Sequence, residues 1–399
     1  MTTNKKYIPT YIPSNVDKYF YNRKKDIIKI NNYLNILEED VSEQLLLTGY
    51  RGVGKTFLLK KIMKDLNPNF LVCYMDISKI NAENNGNLSE EKILLELLNL
   101  MNESLINIKD KNIEKIYENI NILFNSIKLK KYDFKNAASI LEIPIPEIEN
   151  NFEKLAKLVM EYPQKIVDKT DEIKGFVIII DEFQFLKKLK SPESFFWLIR
   201  SHSQFQDNVS YVFTGSTSRL SDIVEMINGE SGAFGGRMVQ INIDPFSKKE
   251  TKSYLKDKLN DVILTEDGFE KFYYYTRGIP VYINSFYNIM DSSVTYDEKL
   301  IEETFLENMD QILVMWIRIW GTLHKYEKEI VIKLIENDTL TWTLLENKIS
   351  FSKPTLNKYL TSLEDKGIVV YKNNEYYVED KMLIRWLKHE KQYRGFYPI

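Results

Sequence analysis

Cysteine is almost missing from this chain. Cys73 alone excludes an intrachain disulfide and a cysteine-cluster metal site, and its place in an apolar run marks it as a small core residue. Long hydrophobic runs are missing too. The longest, Phe70–Met75 and Ile312–Ile317, fall far short of a membrane span, so no membrane contact is expected. Lys5 and Lys6 near the N-terminus are followed by no apolar stretch, so no secretory leader is expected and a reducing cytoplasm is the expected location. Charge of one sign is also lacking. A net charge of −3 over 399 residues gives no global signal for nucleic acid, and any basic surface is local. Arginine is sparse beside abundant Asn, Lys and Ile, which reflects codon usage more than chemistry. The length exceeds one compact core, so two or three domains are expected.

Because glycine is scarce, 15 residues in all, one cluster stands out. Gly49-Tyr50-Arg51-Gly52-Val53-Gly54-Lys55-Thr56 fits G-x-x-x-x-G-K-T, between the apolar run Leu45–Leu47 and an amphipathic stretch that opens with Phe57. That is the phosphate-binding loop in its expected strand-to-helix context. Gly52 and Gly54 let the backbone turn its N–H groups inward, where they and the helix N-terminus cradle a β-phosphate. Lys55 is placed to span the β- and γ-phosphates, and the Thr56 hydroxyl to ligate Mg²⁺. The cofactors this motif points to are ATP or ADP with Mg²⁺.

A second informative stretch is Gly175-Phe176-Val177-Ile178-Ile179-Ile180-Asp181-Glu182. An apolar strand ending in two acids, downstream of a P-loop, has the Walker B pattern. Asp181 would hold Mg²⁺ through its water shell, and Glu182 would polarise the attacking water.

Residues 1–19 read as an extended arm with Pro9 and Pro13, and Lys24–Leu37 as a helix by its apolar spacing. Further strands are expected at Gln44–Thr48, Phe70–Ile77, Ser210–Ser216 and Met238–Ile243. From 81 to 174 no strand pattern appears. Helices are expected at Ser89–Leu105, Ile113–Ile127, Asp133–Leu141 and Pro146–Lys169, the last kinked at Pro163, with Asn/Lys-rich faces in solvent. Helices follow at Lys248–Leu259, Glu266–Tyr275 and Val281–Met290. Near the C-terminus come Glu327–Glu336, Leu340–Lys348 and Ser352–Lys366, then a hairpin over Ile368–Val378 turning at Asn373-Asn374, and a closing helix Lys381–Glu390. Three helices and a two-stranded wing describe a winged helix-turn-helix.

Taken together, the P-loop, Ile180-Asp181-Glu182-Phe183-Gln184, Thr214-Gly215-Ser216, Gly236-Arg237 with Ile243-Asp244-Pro245-Phe246-Ser247, and Gly278-Ile279-Pro280 resemble the archaeal-type ATPases of the AAA+ superfamily, relatives of the STAND and origin-recognition ATPases. The resemblance spans about residues 15–390. It implies an α/β fold: a parallel P-loop NTPase sheet of ASCE/AAA+ type with a helical lid and a C-terminal winged-helix domain. The implied division is an arm at 1–19, an ATPase core at 20–245 with the helical insertion 81–174, a lid at 246–320 and a winged helix at 321–399. It also implies roles. Tyr21, Asn22 and Arg23 would line the adenine pocket, and Ser216 or Thr214 would sense the γ-phosphate. Arg237, with Arg219 as rival, would reach nucleotide across the sheet or from a neighbouring subunit, and Pro280 would pack on adenine. Arg277 stands where the family often has glycine.

The implied function is a slowly hydrolysing regulatory ATPase whose nucleotide state is coupled to the winged helix. The alternative is a DNA-binding protein in which nucleotide is a structural or assembly ligand and 352–378 docks on duplex DNA. Residues 321–399 carry 13 Lys and Arg against 11 Asp and Glu, a net +2, which is mild for a DNA reader. A protein partner at 81–174 or the winged helix, and a homo-oligomer, are the other expected associations.

Overall fold

Strand ends decide this fold. A computed structural model of the chain describes residues 7–128, 133–144, 150–215 and 222–398. Its central sheet has five strands: β1 (Leu45–Thr48), β2 (Phe70–Asp76), β3 (Gly175–Asp181), β4 (Val209–Thr214) and β5 (Val239–Asn242), in the order β2-β3-β4-β1-β5. All neighbours run parallel. Asp76, Asp181 and Thr214 stand in one row across β2, β3 and β4, and Leu47 lies beside Thr214. The C-terminal ends of the strands therefore share one edge, where open α/β sheets place ligands.

A parallel sheet is covered on both faces, and the period-2 alternation sorts side chains between them. Leu45, Leu47, Val177, Ile179 and Val212 pack against Leu34, Leu58 and Ile62, carried by helices Lys24–Asn35 and Lys55–Asp65. Leu46, Cys73, Ile178, Ile180 and Phe213 enter the opposite core with Leu97, Leu98, Leu158, Val159 and Phe196. Those residues belong to helices Glu90–Glu103, Asn151–Asp168 and Pro192–Ser203. Two helices of the strand-free stretch thus form one cover of the sheet, because their apolar faces have no other core to enter. Asn151–Asp168 continues through the buried Pro163; the expected start of this helix at Pro146 lies outside the described residues.

From Phe246 to Tyr397 the chain builds one further core. Phe286, Trp316 and Trp320 share it with Leu363, Val378 and Trp386, and the Trp320 and Trp386 rings meet edge to face at 6.0 Å. Its later elements are helices Lys325–Asn337, Trp342–Glu346 and Lys353–Asp365, an antiparallel hairpin of Val369–Lys372 with Glu375–Val378, and helix Lys381–Arg394. Asn373 and Asn374 turn the hairpin at φ 53° and 67°, the left-handed geometry that tight hairpins require. The helix expected to begin at Leu340 starts later. Leu340 instead exchanges backbone hydrogen bonds with Tyr376 at 3.0 and 2.8 Å, and Thr341 caps the short helix.

The N-terminal arm is not extended throughout. Val16–Tyr19 forms a helical turn, and buried Ile8 is held by the Asn288 side chain, which accepts from its N–H at 3.0 Å and donates to its carbonyl at 2.7 Å. Among the described residues no helix is long and apolar enough to cross a membrane.

Candidate nucleotide site

The loop after β1 turns sharply because its glycines allow it. Gly52 has φ 83°, and a Cβ there would lie 2.4 Å from Val281 Cγ1. The loop is thus seated against the start of helix Pro280–Ile289, whose Val281 N–H points at the Gly52 carbonyl at 3.4 Å. Gly278 makes that seat possible: it has φ 73°, and a Cβ would lie 1.8 Å from the Phe246 carbonyl oxygen. Arg277, also left-handed at φ 52°, lays its guanidinium over the Tyr274 ring at 5.3 Å and is exposed.

Lys55 opens the helix after the loop and is buried. Its ammonium donates to the carbonyls of Gly49 at 2.8 Å and Tyr50 at 3.0 Å. Burial pushes its pKa down to about 8, against the pull of Glu182 and Asp181. A phosphate anion at the loop would restore the charged form.

Thr56 Oγ donates to Asp181 Oδ2 at 2.9 Å, so the two residues expected at the metal converge. Tyr74, near the end of β2, donates to the same oxygen at 2.6 Å, and the Glu182 N–H donates to Asp181 Oδ1 at 2.8 Å. Burial raises the Asp181 carboxyl's pKa, with these three hydrogen bonds opposing it. Glu182 adopts a left-handed φ of 53°, and the Gln184 amide donates to its carboxylate. Its pKa is raised by burial first and then by Asp181. A raised carboxyl beside an ionisable neighbour suits a proton acceptor.

One cavity of about 790 Å³ joins these groups. Gly52, Gly54, Lys55, Thr56, Phe57, Asp181, Glu182 and Pro280 all line it. Gly49 instead lines a second cavity behind the loop. Val53 is buried, and its carbonyl accepts from Arg23 at 2.8 Å. Tyr21, Asn22 and Arg23 are not among the cavity's lining residues. Tyr21 donates to Asp257 at 2.7 Å, Asn22 to Glu250 at 2.7 Å, and Arg23 also holds the Asp244 carbonyl at 2.6 Å. Consecutive left-handed residues, Asn22 at φ 59° and Arg23 at φ 66°, direct the chain to helix Lys248–Lys258. The wall expected from them comes from residues 8–13 and Tyr19. Nothing in the arm's composition marks them; the Ile8–Asn288 bonds do.

Arg237 lies far from this cavity. It precedes β5, whose Val239 pairs with Leu45 at the beginning of β1, and it is exposed beside Asp40–Gln44. The P-loop follows the other end of β1, so at about 3.3 Å per residue the sheet separates the two by roughly 15 Å. Within this chain Arg237 and the P-loop thus stand at opposite ends of the sheet. Ser216 and Arg219 lie outside the described residues. Thr214 is buried beside Asp181 with its hydroxyl unpartnered among the described residues. Sequence reasoning gave no role to Tyr74, to Arg51, or to Arg318, which lines the same cavity from helix Val314–Thr322. For Arg318 the signal was an arginine within an otherwise apolar helix.

Comparison with known proteins follows the same outline. No curated protein matches the chain by sequence. A Walker-type ATPase of Pyrococcus abyssi shares the fold with a TM-score of 0.61 at 17% identity, over 93% of this chain and 97% of that one. The Orc1 protein of Aeropyrum pernix, solved in complex with DNA, aligns at 11% identity over 96% and 95% with a TM-score of 0.47. The RuvB Holliday junction branch migration motor of Thermotoga maritima aligns at 15% identity over 98% and 100% with a TM-score of 0.40. The model of an ATPase domain predominantly from Archaea matches residues 20–286, a span that holds the P-loop, the Asp181-Glu182 pair and the first turns of the helix seated on the loop. By that match the chain belongs to this archaeal ATPase family, with the α/β fold of a P-loop ATPase.

Proposed function

We propose that the chain binds ATP with Mg²⁺ in the cavity between the sheet and a lid at 246–320, hydrolyses it slowly, and transmits the nucleotide state to a winged helix at 321–399. The observation that carries this reading is the convergence of Lys55, Thr56, Asp181 and Glu182 on one cavity. The hydroxyl of Thr56 and the carboxylate of Asp181, 2.9 Å apart, form an all-oxygen donor pair that fits Mg²⁺. When bound, the cation would supply charge neutralisation at the phosphates. Lys55 would exchange its loop carbonyls for phosphate oxygens. Glu182 would orient a water and take its proton as the water oxygen bonds to the γ-phosphorus. The bond from that phosphorus to the β–γ bridging oxygen breaks, and ADP and phosphate leave. Arg237 would act only on a neighbouring copy's site.

The DNA-binding alternative draws less support. Two residues of the 352–378 stretch are engaged: Lys353 pairs with Glu346 at 3.0 Å, and Asn357 accepts from Trp342 Nε1 at 2.7 Å.

Size-exclusion chromatography with light scattering under ADP and under a non-hydrolysable ATP analogue, with and without duplex DNA, tests the reading. Lys55→Ala should lose nucleotide binding altogether. Nucleotide affinity in that variant within about twofold of wild type would sink the P-loop assignment. Co-elution with DNA that Lys353→Glu with Lys358→Glu abolishes would promote the alternative.

A further inference from the structure

Arg51 stands inside the P-loop without a partner among the described residues. Its guanidinium makes no hydrogen bond or ion pair among the described residues, and its Nε is buried with no acceptor. A guanidinium left this way is costly at its buried Nε, which finds no acceptor among the described residues, while the rest of the group is half-exposed. Acids do lie close by. Glu379 and Asp380 share with Arg51 the cavity of about 480 Å³ behind the loop. Both face other groups: Glu379 lies beside the Tyr50 hydroxyl. Asp380 accepts from Tyr282 at 2.9 Å and from the amides of Met382 and Leu383 at 2.8 and 3.0 Å.

On its other side Arg51 lines the nucleotide cavity with Lys55, Thr56 and Glu182. Among the cations acting on Glu182, Arg51 comes first and Lys55 second in holding the carboxyl down against burial and Asp181. The guanidinium thus shares a cavity with the acid expected to hold the attacking water. The anion that meets both requirements, close to Glu182 and within reach of the loop, is the terminal phosphate of a nucleoside triphosphate. A bidentate fork is the donor geometry that suits a phosphate group.

We infer that Arg51 is a γ-phosphate ligand acting in cis, so that the loop itself carries the cation that tells ATP from ADP. The inference rests on the nucleotide reading above and adds to it a residue within the same chain. Arg51 would pair with the γ-phosphate oxygens in the ATP state and return to its unpartnered position beside Glu182 in the ADP state. In the transition state it would also meet the charge that builds on those oxygens.

The test is a titration of the full chain with ADP and with a non-hydrolysable ATP analogue. The set comprises wild type, Arg51→Ala, Arg51→Lys, Arg318→Ala and Lys55→Ala. Arg51→Ala should bind the analogue roughly tenfold or more weakly while ADP stays within about twofold, since ADP lacks the group the fork holds. Arg51→Lys, a point charge without the fork, should recover part of the difference. Equal weakening of both nucleotides would make Arg51 a keeper of loop shape and overturn the inference. So would a selective loss in Arg318→Ala with normal discrimination in Arg51→Ala. ADP binding serves as the folding control. If Arg51→Ala binds neither nucleotide, Arg51→Lys decides: analogue weakened relative to ADP supports the role, and unchanged relative affinity removes it. A wild-type chain that binds neither nucleotide overturns the nucleotide reading instead.

Discussion

The Tyr282 hydroxyl donates to Asp380 Oδ2 at 2.9 Å. Trp316 Nε1 donates to that hydroxyl in turn, and Asp380 caps the closing helix Lys381–Arg394. Pro280, Val281 and Tyr282 are consecutive. The first two line the nucleotide cavity, and the third grips the C-terminal elements. A shift of helix Pro280–Ile289 on nucleotide exchange would move Asp380 with it, because the bond is partly buried and the surrounding core is shared.

Tyr282→Phe removes that grip while keeping the ring. It leaves Trp316 Nε1 without its acceptor and Asp380 without one donor, a loss of about 1–3 kcal/mol in stability. Nucleotide affinity should persist. Hydrogen exchange in Lys381–Arg394, compared between ADP and ATP analogue, should differ in wild type and become the same in the variant. An undiminished difference would place the coupling elsewhere.

Glu182→Gln should retain ATP and stop turnover. The amide keeps the size and the contact with Gln184 but accepts no proton. Loss of about 100-fold or more in steady-state phosphate release is expected. Unchanged release would transfer the role to another group.

Arg237→Ala tests a second copy. Arg237 sits at the far end of β5 from the loop, so a part in hydrolysis would be played at a neighbour's nucleotide. Wild-type activity per chain should rise with protein concentration, and the variant's should stay flat and low. A wild-type rate independent of concentration would remove Arg237 from the reaction.

Glu327 should make the C-terminal elements acid-sensitive. It is buried at the start of helix Lys325–Asn337, accepts from Ser362 Oγ at 2.7 Å and the His324 N–H at 2.8 Å, and pairs with Lys366. Burial alone would raise its pKa, but Lys366, Ser362 and the His324 amide together hold it below the ordinary 4.5. A depressed folded-state pKa contributes stability that is complete above 4.5 and fades as pH falls through the folded value. Glu327→Gln should therefore lower stability near neutral pH by about 1–3 kcal/mol, discounted for the half-exposed Lys366. Denaturant midpoints of the two proteins should converge as pH drops below that value. A gap that stays constant with pH would mean the carboxylate charge is not the stabilising element.

Much of the candidate site was legible because it is local. The P-loop needs only glycines at fixed spacing, and Asp181-Glu182 needs only an apolar run that stops. Both motifs fall on the strand ends where they were expected, as Leu45–Thr48 and Gly175–Asp181. Tyr74 was not legible, since its hydroxyl meets Asp181 only when β2 and β3 pair. The arm was misread for the same reason: Ile8 is held by a residue 280 positions away. The adenine-pocket residues were expected at 21–23, yet two left-handed residues turn that segment toward Glu250 and Asp257.

By itself, the sequence determined the elements and the phosphate chemistry. Periodicity, caps and glycine positions act over a few residues, and their energies do not depend on what packs later. Tertiary structure alone decided which charges share a cavity. The order β2-β3-β4-β1-β5 puts Thr56 on Asp181 and leaves Arg237 at the opposite end, while the packing of 246–397 brings Pro280, Val281 and Arg318 to the loop. Strand order and helix docking are set by burying apolar faces that many partners would satisfy, so no short stretch of residues specifies them.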